Sequence, residues 1–265
     1  MIRALISAEL IKLYRQPGLL FWGFLAAPAV ALALKIAFES VLFIRSGKLP
    51  PGQADLLTSA AQSLAIAGNP FSQLLYAIGI SSVFFTEYRF STWRNLVPRV
   101  GRIPPLVAKW AACLLCTVIG LVLAIVGDVS LNTVLAFFAG SAESQSPLPS
   151  NGIGVLITAF AIAVLELSAL GLVVAALTIA FRSMLAAIVP VFLLAIGTSL
   201  LQAYFGAAVL NLPLPSLAAD ALRAWLFDGA DGRFAALGIG TLVAWCVTST
   251  GIGTAIFSRQ ALSSE

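Results

Sequence analysis

Six apolar runs, at about residues 18–44, 70–86, 106–127, 153–181, 184–205 and 234–257, take up most of the sequence. An α-helix rises 1.5 Å per residue, so roughly 20 apolar residues cross a hydrocarbon core about 30 Å thick. Lipid offers backbone amides no partner, and long unbroken runs satisfy them by winding into helices. Composition agrees, because 60% of the 265 residues are hydrophobic and 10% are charged. That is more apolar surface than a soluble domain of this length can bury. The expected fold is all-α: a polytopic membrane protein with six transmembrane helices in a single transmembrane domain over residues 1–265.

The segments between the runs refine this. In residues 1–16, Ile2, Ile6, Leu10 and Leu13 share one helical face, with Arg3, Lys12 and Arg15 elsewhere and Glu9 at the stripe's edge. That pattern predicts an amphipathic helix lying in the interface before the first span. Basic flanks and the Ala-x-Ala stretch after Pro28 also resemble a signal peptide, but the run is too long and five more follow it. The apolar stretch from Leu106 to Phe138 would measure about 50 Å as one helix, so the third span is expected to end near Gly127 with Asp128 at the outer boundary. Residues 216–228 place Leu217, Leu222, Trp225 and Leu226 on one face, predicting a short outer interfacial or re-entrant helix before the last span.

Six crossings put both termini on one side, and the basic residues choose it. Ten of them fall on the terminal side (Arg3, Lys12, Arg15, Arg89, Arg94, Arg99, Arg102, Lys109, Arg182 and Arg259). Four fall on the other (Arg45, Lys48, Arg223 and Arg233), and Lys35 lies inside a span. By the positive-inside rule both termini are cytoplasmic.

Several chemistries are excluded. Histidine is absent, which removes His-based metal ligation and general-base catalysis. Cys113, Cys116 and Cys246 all lie in apolar runs, where C-x-x-C reads as two small apolar side chains. The basic residues form no clustered stripe, so nucleic acid is not an expected partner. Neither a paired-carboxylate motif nor a G-x-S-x-G elbow is present, and an enzyme is not expected. The charges inside the spans are the exceptions that need a purpose: Lys35 and Glu39 in the first, Asp128 at the end of the third and Glu166 near the middle of the fourth. A mid-bilayer charge costs about 3 kcal/mol, so Glu166 must face protein or water. Lys35 has Glu39 four residues on, or Asp128, as a structural partner; for Glu166 structural and transport roles both stand.

The most charged loop runs from Glu87 to Lys109. Ser91 is a candidate N-cap for a short helix Thr92–Val97 that Pro98 would end, and a short basic helix suits a partner's groove. Glu87, Thr92, Trp93, Arg94, Leu96, Pro98, Arg99, Arg102 and Lys109 together resemble the coupling loop of type-2 ATP-binding-cassette (ABC) permeases, bacterial exporters of the cytoplasmic (inner) membrane. Glu9, Leu10, Lys12, Leu13 and Arg15 are similar to that family's N-terminal interfacial helix. The Arg182–Ser183 turn and the outer helix before the last span extend the likeness over most of the chain. The resemblance implies two permease copies or paralogues facing each other, each docked by Glu87, Thr92, Trp93, Arg94, Arg99 and Arg102 onto a separate ABC ATPase subunit. It also implies export of a drug, antimicrobial peptide or lipid-like molecule. Because no G-x-x-x-x-G-K-[ST] stretch occurs, ATP and Mg would bind the partner ATPase, with no cofactor on this chain. The competing expectation is an ATP-independent carrier or channel using Glu166 and Asp128, which would favour internal repeats that the two halves do not display.

Overall fold

A computed structural model describes residues 2–46, 55–138 and 152–260. Every regular element in them is helical: α1 (Ile2–Tyr14), α2 (Pro17–Leu20), α3 (Ala26–Ser46), α4 (Leu56–Ser63), α5 (Pro70–Arg89), α6 (Trp93–Val100), α7 (Ile103–Phe138), α8 (Gly152–Phe181), α9 (Met184–Phe205), α10 (Pro215–Asp228) and α11 (Gly232–Arg259). A π-helical turn, Phe21–Leu25, fuses α2 to α3, and 3-10 turns at Leu64–Gly68 and Gly206–Val209 follow α4 and α9.

Five helical stretches are long and apolar enough to cross a membrane: Pro17–Ser46, Ile103–Phe138, Gly152–Phe181, Met184–Val209 and Gly232–Arg259. The chain is thus a multi-pass helical membrane protein. The sixth expected span, α5, has the length but carries Ser72, Gln73, Ser81, Ser82, Thr86 and Glu87. It tolerates them because it packs against α7, α8, α9 and the π-turn, and four of the six side chains are buried in protein. α8 is the hub, in contact with α4, α5, α9, α10 and α11. Its buried face is rich in small residues, including Ala159, Ala163, Gly171 and Ala175, which let neighbouring helices come close.

Local chemistry sets the boundaries. Asp55 caps α4 by accepting from Leu57 N at 3.1 Å and Thr58 N at 3.2 Å, and the Thr58 hydroxyl bond holds its carboxyl below the usual range. Asn69 and Pro70 start α5, Ser183 caps α9 and Asp231 caps α11. Gly229 ends α10 in the left-handed conformation, at φ 69°. Arg182, at φ 50°, makes the tight turn between α8 and α9. The fourth, fifth and last runs begin and end within two residues of α8, α9 and α11, and α10 lies where an outer helix was expected.

Three expectations are corrected. The third run does not stop as a helix at Gly127: α7 continues through Asp128 to Phe138, because pairing with Lys35 lets the helix run on past the carboxylate. The loop helix is Trp93–Val100 rather than Thr92–Val97, running through Pro98 and ending where Gly101 takes φ 85°. Ser91 does not cap it, having turned to φ 51°, and the Thr92 hydroxyl bonds Glu87 instead. Helix α4 lies where a polar loop was expected to lead into the second run; residues 47–54 of that loop lie outside the described residues. The loop of residues 141–152 is likewise outside them except for Gly152.

The π-turn coincides with the tightest packing in the bundle. A Cβ on Gly23 would lie 2.5 Å from Gly79 Cα, and one on Gly120 would lie 2.6 Å from the Phe24 carbonyl oxygen. Glycine lets α5 and α7 touch the first span's backbone directly at these points.

Candidate functional site

The Glu87–Lys109 loop folds back onto α1. Lys109, on α7, is buried with 1% side-chain exposure and donates to Glu9 Oε2 at 2.7 Å and Glu87 Oε1 at 2.8 Å. Lys12 donates to the same two carboxylates, at 2.8 Å to Glu9 and 2.9 Å to Glu87. Two cations and two anions from α1, α5 and α7 thus make a neutral cluster, the arrangement in which buried charge is tolerable. The helical stripe expected on α1 is rearranged by it: Glu9 is buried beside Leu13, whereas Ile2 is exposed. Burial pulls Lys12 down, but bonds to Glu9 and Glu87 outweigh it and leave its pKa raised. Burial pushes Glu87 up, and the charges and bonds of Lys109 and Lys12 outweigh that, leaving its carboxyl below its ordinary range.

The loop helix α6 is fixed by the same residues. Thr92 donates its hydroxyl proton to Glu87 Oε2. Trp93 is fully buried beneath the Lys109 ammonium, 5.7 Å from its ring centroid, and packs edge-on to Phe257 of α11. Arg102 donates to the carbonyls of Phe257, Ser258 and Gln260 at 2.8, 2.7 and 3.0 Å, capping α11. Gln260 in turn accepts from the Tyr88 hydroxyl at 3.0 Å and donates to the Ile179 carbonyl at 2.6 Å. Arg94 and Arg99 point away from all of this and are exposed on α6; Arg15 is exposed just past α1. Of the residues expected at this site, then, Glu9, Lys12, Glu87, Thr92, Trp93 and Arg102 hold the α6 scaffold, and Arg94 and Arg99 are what it displays.

Two further charge groups lie deeper. Lys35 Nζ is 2.5 Å from Asp128 Oδ1, whose other oxygen accepts from the Ser59 hydroxyl at 2.7 Å and the Asn132 amide at 2.9 Å. Glu39 does not pair with Lys35, and its Oε2 is buried with no hydrogen-bond partner among the described residues. Glu166, mid-way along α8, accepts from Arg223 of α10 and from Gln73 Nε2 at 3.2 Å. Arg223 also bonds Asp220 at 2.6 Å, and beside it a cavity of about 520 Å³ is lined by Gln62, Gln202, Asp220 and Asp228.

Sequence reasoning missed Arg223 as the partner of Glu166, counting it only among the basic residues of the side opposite the termini. The available signal was a lone arginine on an otherwise apolar helix, three residues after Asp220. It also used Lys109 as a topology signal, where the structure makes it the centre of the cluster. Among the described residues no group of three or more His, Cys, Asp or Glu side chains is placed to hold a metal ion, and Cys113, Cys116 and Cys246 are free thiols.

Comparison with family models, with curated proteins and with solved structures returns no match for this chain.

Proposed function

We propose that this chain is the membrane-spanning permease subunit of an ATP-driven exporter of the type-2 ABC class, working with a separate ATPase subunit and a second permease copy or paralogue. On this reading α5 also spans, second in chain order, which makes six crossings, both termini lie in the cytoplasm of a bacterial cell, and the cargo is a drug, antimicrobial peptide or lipid-like molecule. The observation that carries it is the mounting of α6: a short helix with Arg94 and Arg99 exposed, tied by buried charges to α1, α5 and α7 and by Arg102 to the end of α11. A partner that pushes on α6 pushes on four helices at once. Rim charges set partner choice and association rate, so an acidic groove on an ATPase is the complementary surface.

The test is reconstitution of the chain with its co-encoded ATPase in liposomes. Arg94→Glu and Arg99→Glu are expected to abolish stimulation of ATP hydrolysis by the permease and to release the ATPase from it, with the permease still folded. Unchanged association in both variants, or transport by the chain alone driven by an ion gradient, rejects the reading; the latter result would establish the carrier alternative.

A further inference from the structure

A cavity of about 260 Å³ lies between α3, α4 and α7. Its wall is two-faced. Lys35, Asp128, Ser59 and Gln62 supply polar groups, and Pro28, Leu32 and Ala124 supply apolar ones.

The two kinds are sorted by depth. Helices α3 and α7 both run away from α1, since Lys109 meets Glu9 at one end of α7 and Asp128 meets Lys35 towards the other. Pro28 precedes Lys35 by seven residues, about 10 Å along α3, and Ala124 precedes Asp128 by four, about 6 Å along α7. Lys35 in turn lies 18 residues beyond Pro17, about 27 Å, close to the roughly 30 Å thickness of the hydrocarbon core. The polar end therefore comes level with the headgroups of the leaflet remote from α1, and the apolar end lies among acyl chains. The cavity has the polarity of a phospholipid of that leaflet, in the same orientation.

Its Lys35 end is open to the outside of the bundle, beside an exposed apolar strip of α3. Leu34 and Phe38, flanking Lys35 on α3, are 66% and 63% exposed, and the Lys35 side chain is 29% exposed. The hydrogen bonding selects the charge of the guest. Both oxygens of Asp128 are occupied, by Lys35 and by Ser59 with Asn132, so the carboxylate is already satisfied. The ammonium has three donors and spends one on Asp128 and a long one, 3.4 Å, on Asn132. Among the described residues the third donor is unused, it carries positive charge, and the exposed Gln62 amide stands on the same wall.

We propose that this cavity seats a phosphate-bearing amphiphile, a phospholipid of the leaflet remote from α1. A phosphodiester oxygen accepts from Lys35, and an acyl chain lies against Pro28, Leu32 and Ala124. The site is complete within one chain, so it stands independently of the exporter reading.

Native mass spectrometry of the full-length protein, released from detergent and titrated with phosphatidylglycerol, tests it. The wild type is expected to hold one phospholipid that Lys35→Gln and Ala31→Phe each bind at least tenfold more weakly, while Lys35→Arg keeps it. Ala31 lines the apolar wall; its enlargement fills the cavity and leaves the Lys35–Asp128 pair in place, so it reports on the site even if Lys35→Gln fails to fold. Glycerol 3-phosphate, the headgroup chemistry without acyl chains, is expected not to compete. Equal lipid retention by the wild type, Lys35→Gln and Ala31→Phe overturns the proposal. Competition by glycerol 3-phosphate at concentrations equal to the lipid's also overturns it, and assigns the cavity to a soluble phosphate compound.

Discussion

Lys109 Nζ stands 2.7 Å from Glu9 Oε2, which ties together two helices whose paired residues are 100 positions apart in the chain. Lys109→Met would leave Glu9 and Glu87 buried with only Lys12, itself half exposed, to neutralise them. Breaking a buried pair from one side costs about 3–5 kcal/mol. A clear fall in melting temperature of the detergent-solubilised protein is expected, with partial recovery in the double variant Lys109→Met/Glu87→Gln.

The same cluster fixes a pH window. Glu87 titrates below its ordinary value of 4.5, so its contribution is present above that pH and is lost as pH falls through the depressed value. Lys12 titrates above its ordinary 10.5, so its contribution is present below that pH and is lost as pH rises through the raised value. Melting temperature against pH should therefore be flat through neutrality and fall at both extremes, and Glu87→Gln should flatten the acid limb. An acid limb unchanged in Glu87→Gln would count against the assignment.

Arg102 and Arg94 are separated by eight residues but should behave oppositely. Arg102→Ala removes three hydrogen bonds to carbonyls at the end of α11 and should cost about 1–3 kcal/mol, again read as a melting shift. Arg94→Ala changes an exposed side chain and should stay within about 0.5 kcal/mol of wild type.

Gly23→Ala would force a methyl group into the backbone of α5 at Gly79, where neither side can yield. Overpacking of this kind costs about 1–3 kcal/mol. Gly18→Ala, with nothing within 4 Å of the new carbon, should be neutral or slightly stabilising. Equal melting temperatures for the two variants would mean that the first span does not lie against α5 as described.

Arg223→Leu would strand Glu166 in the middle of α8, and a loss of about 3–5 kcal/mol is expected. Arg223→Leu/Glu166→Leu should lose less than the single change, since the buried carboxylate is gone and only the partly exposed Asp220 is left without its partner. On the exporter reading, a double variant that is stable yet inactive would place Glu166 in the transport route rather than in the frame.

What was legible in the sequence was whatever depends on neighbours along the chain. Spans α8, α9 and α11 are apolar along most of their length, Glu166 being the one charge within them between polar turns, so their ends are local facts. The end of α7 was misjudged because a charge need not end a helix when its counter-charge, Lys35, arrives from 93 residues away in the chain. α5 reads weakly for the same kind of reason: Gln73 and Glu87 are satisfied by Glu166 and Lys109, which its own sequence does not reveal. At the loop, the composition of α6 was visible, but the division of labour was not. Nothing in the spacing of Arg94, Arg99 and Arg102 says which of them turns inward.

The 36-residue length of α7 links the two ends of the bundle. Lys109 and Asp128 are fixed 19 residues apart on one continuous helix, about 28 Å, with no proline between them to absorb a displacement. The helix therefore holds both salt bridges on one rigid axis. If it slides by even one residue, the salt bridge to α1 and the salt bridge to α3 must both open in the same stroke.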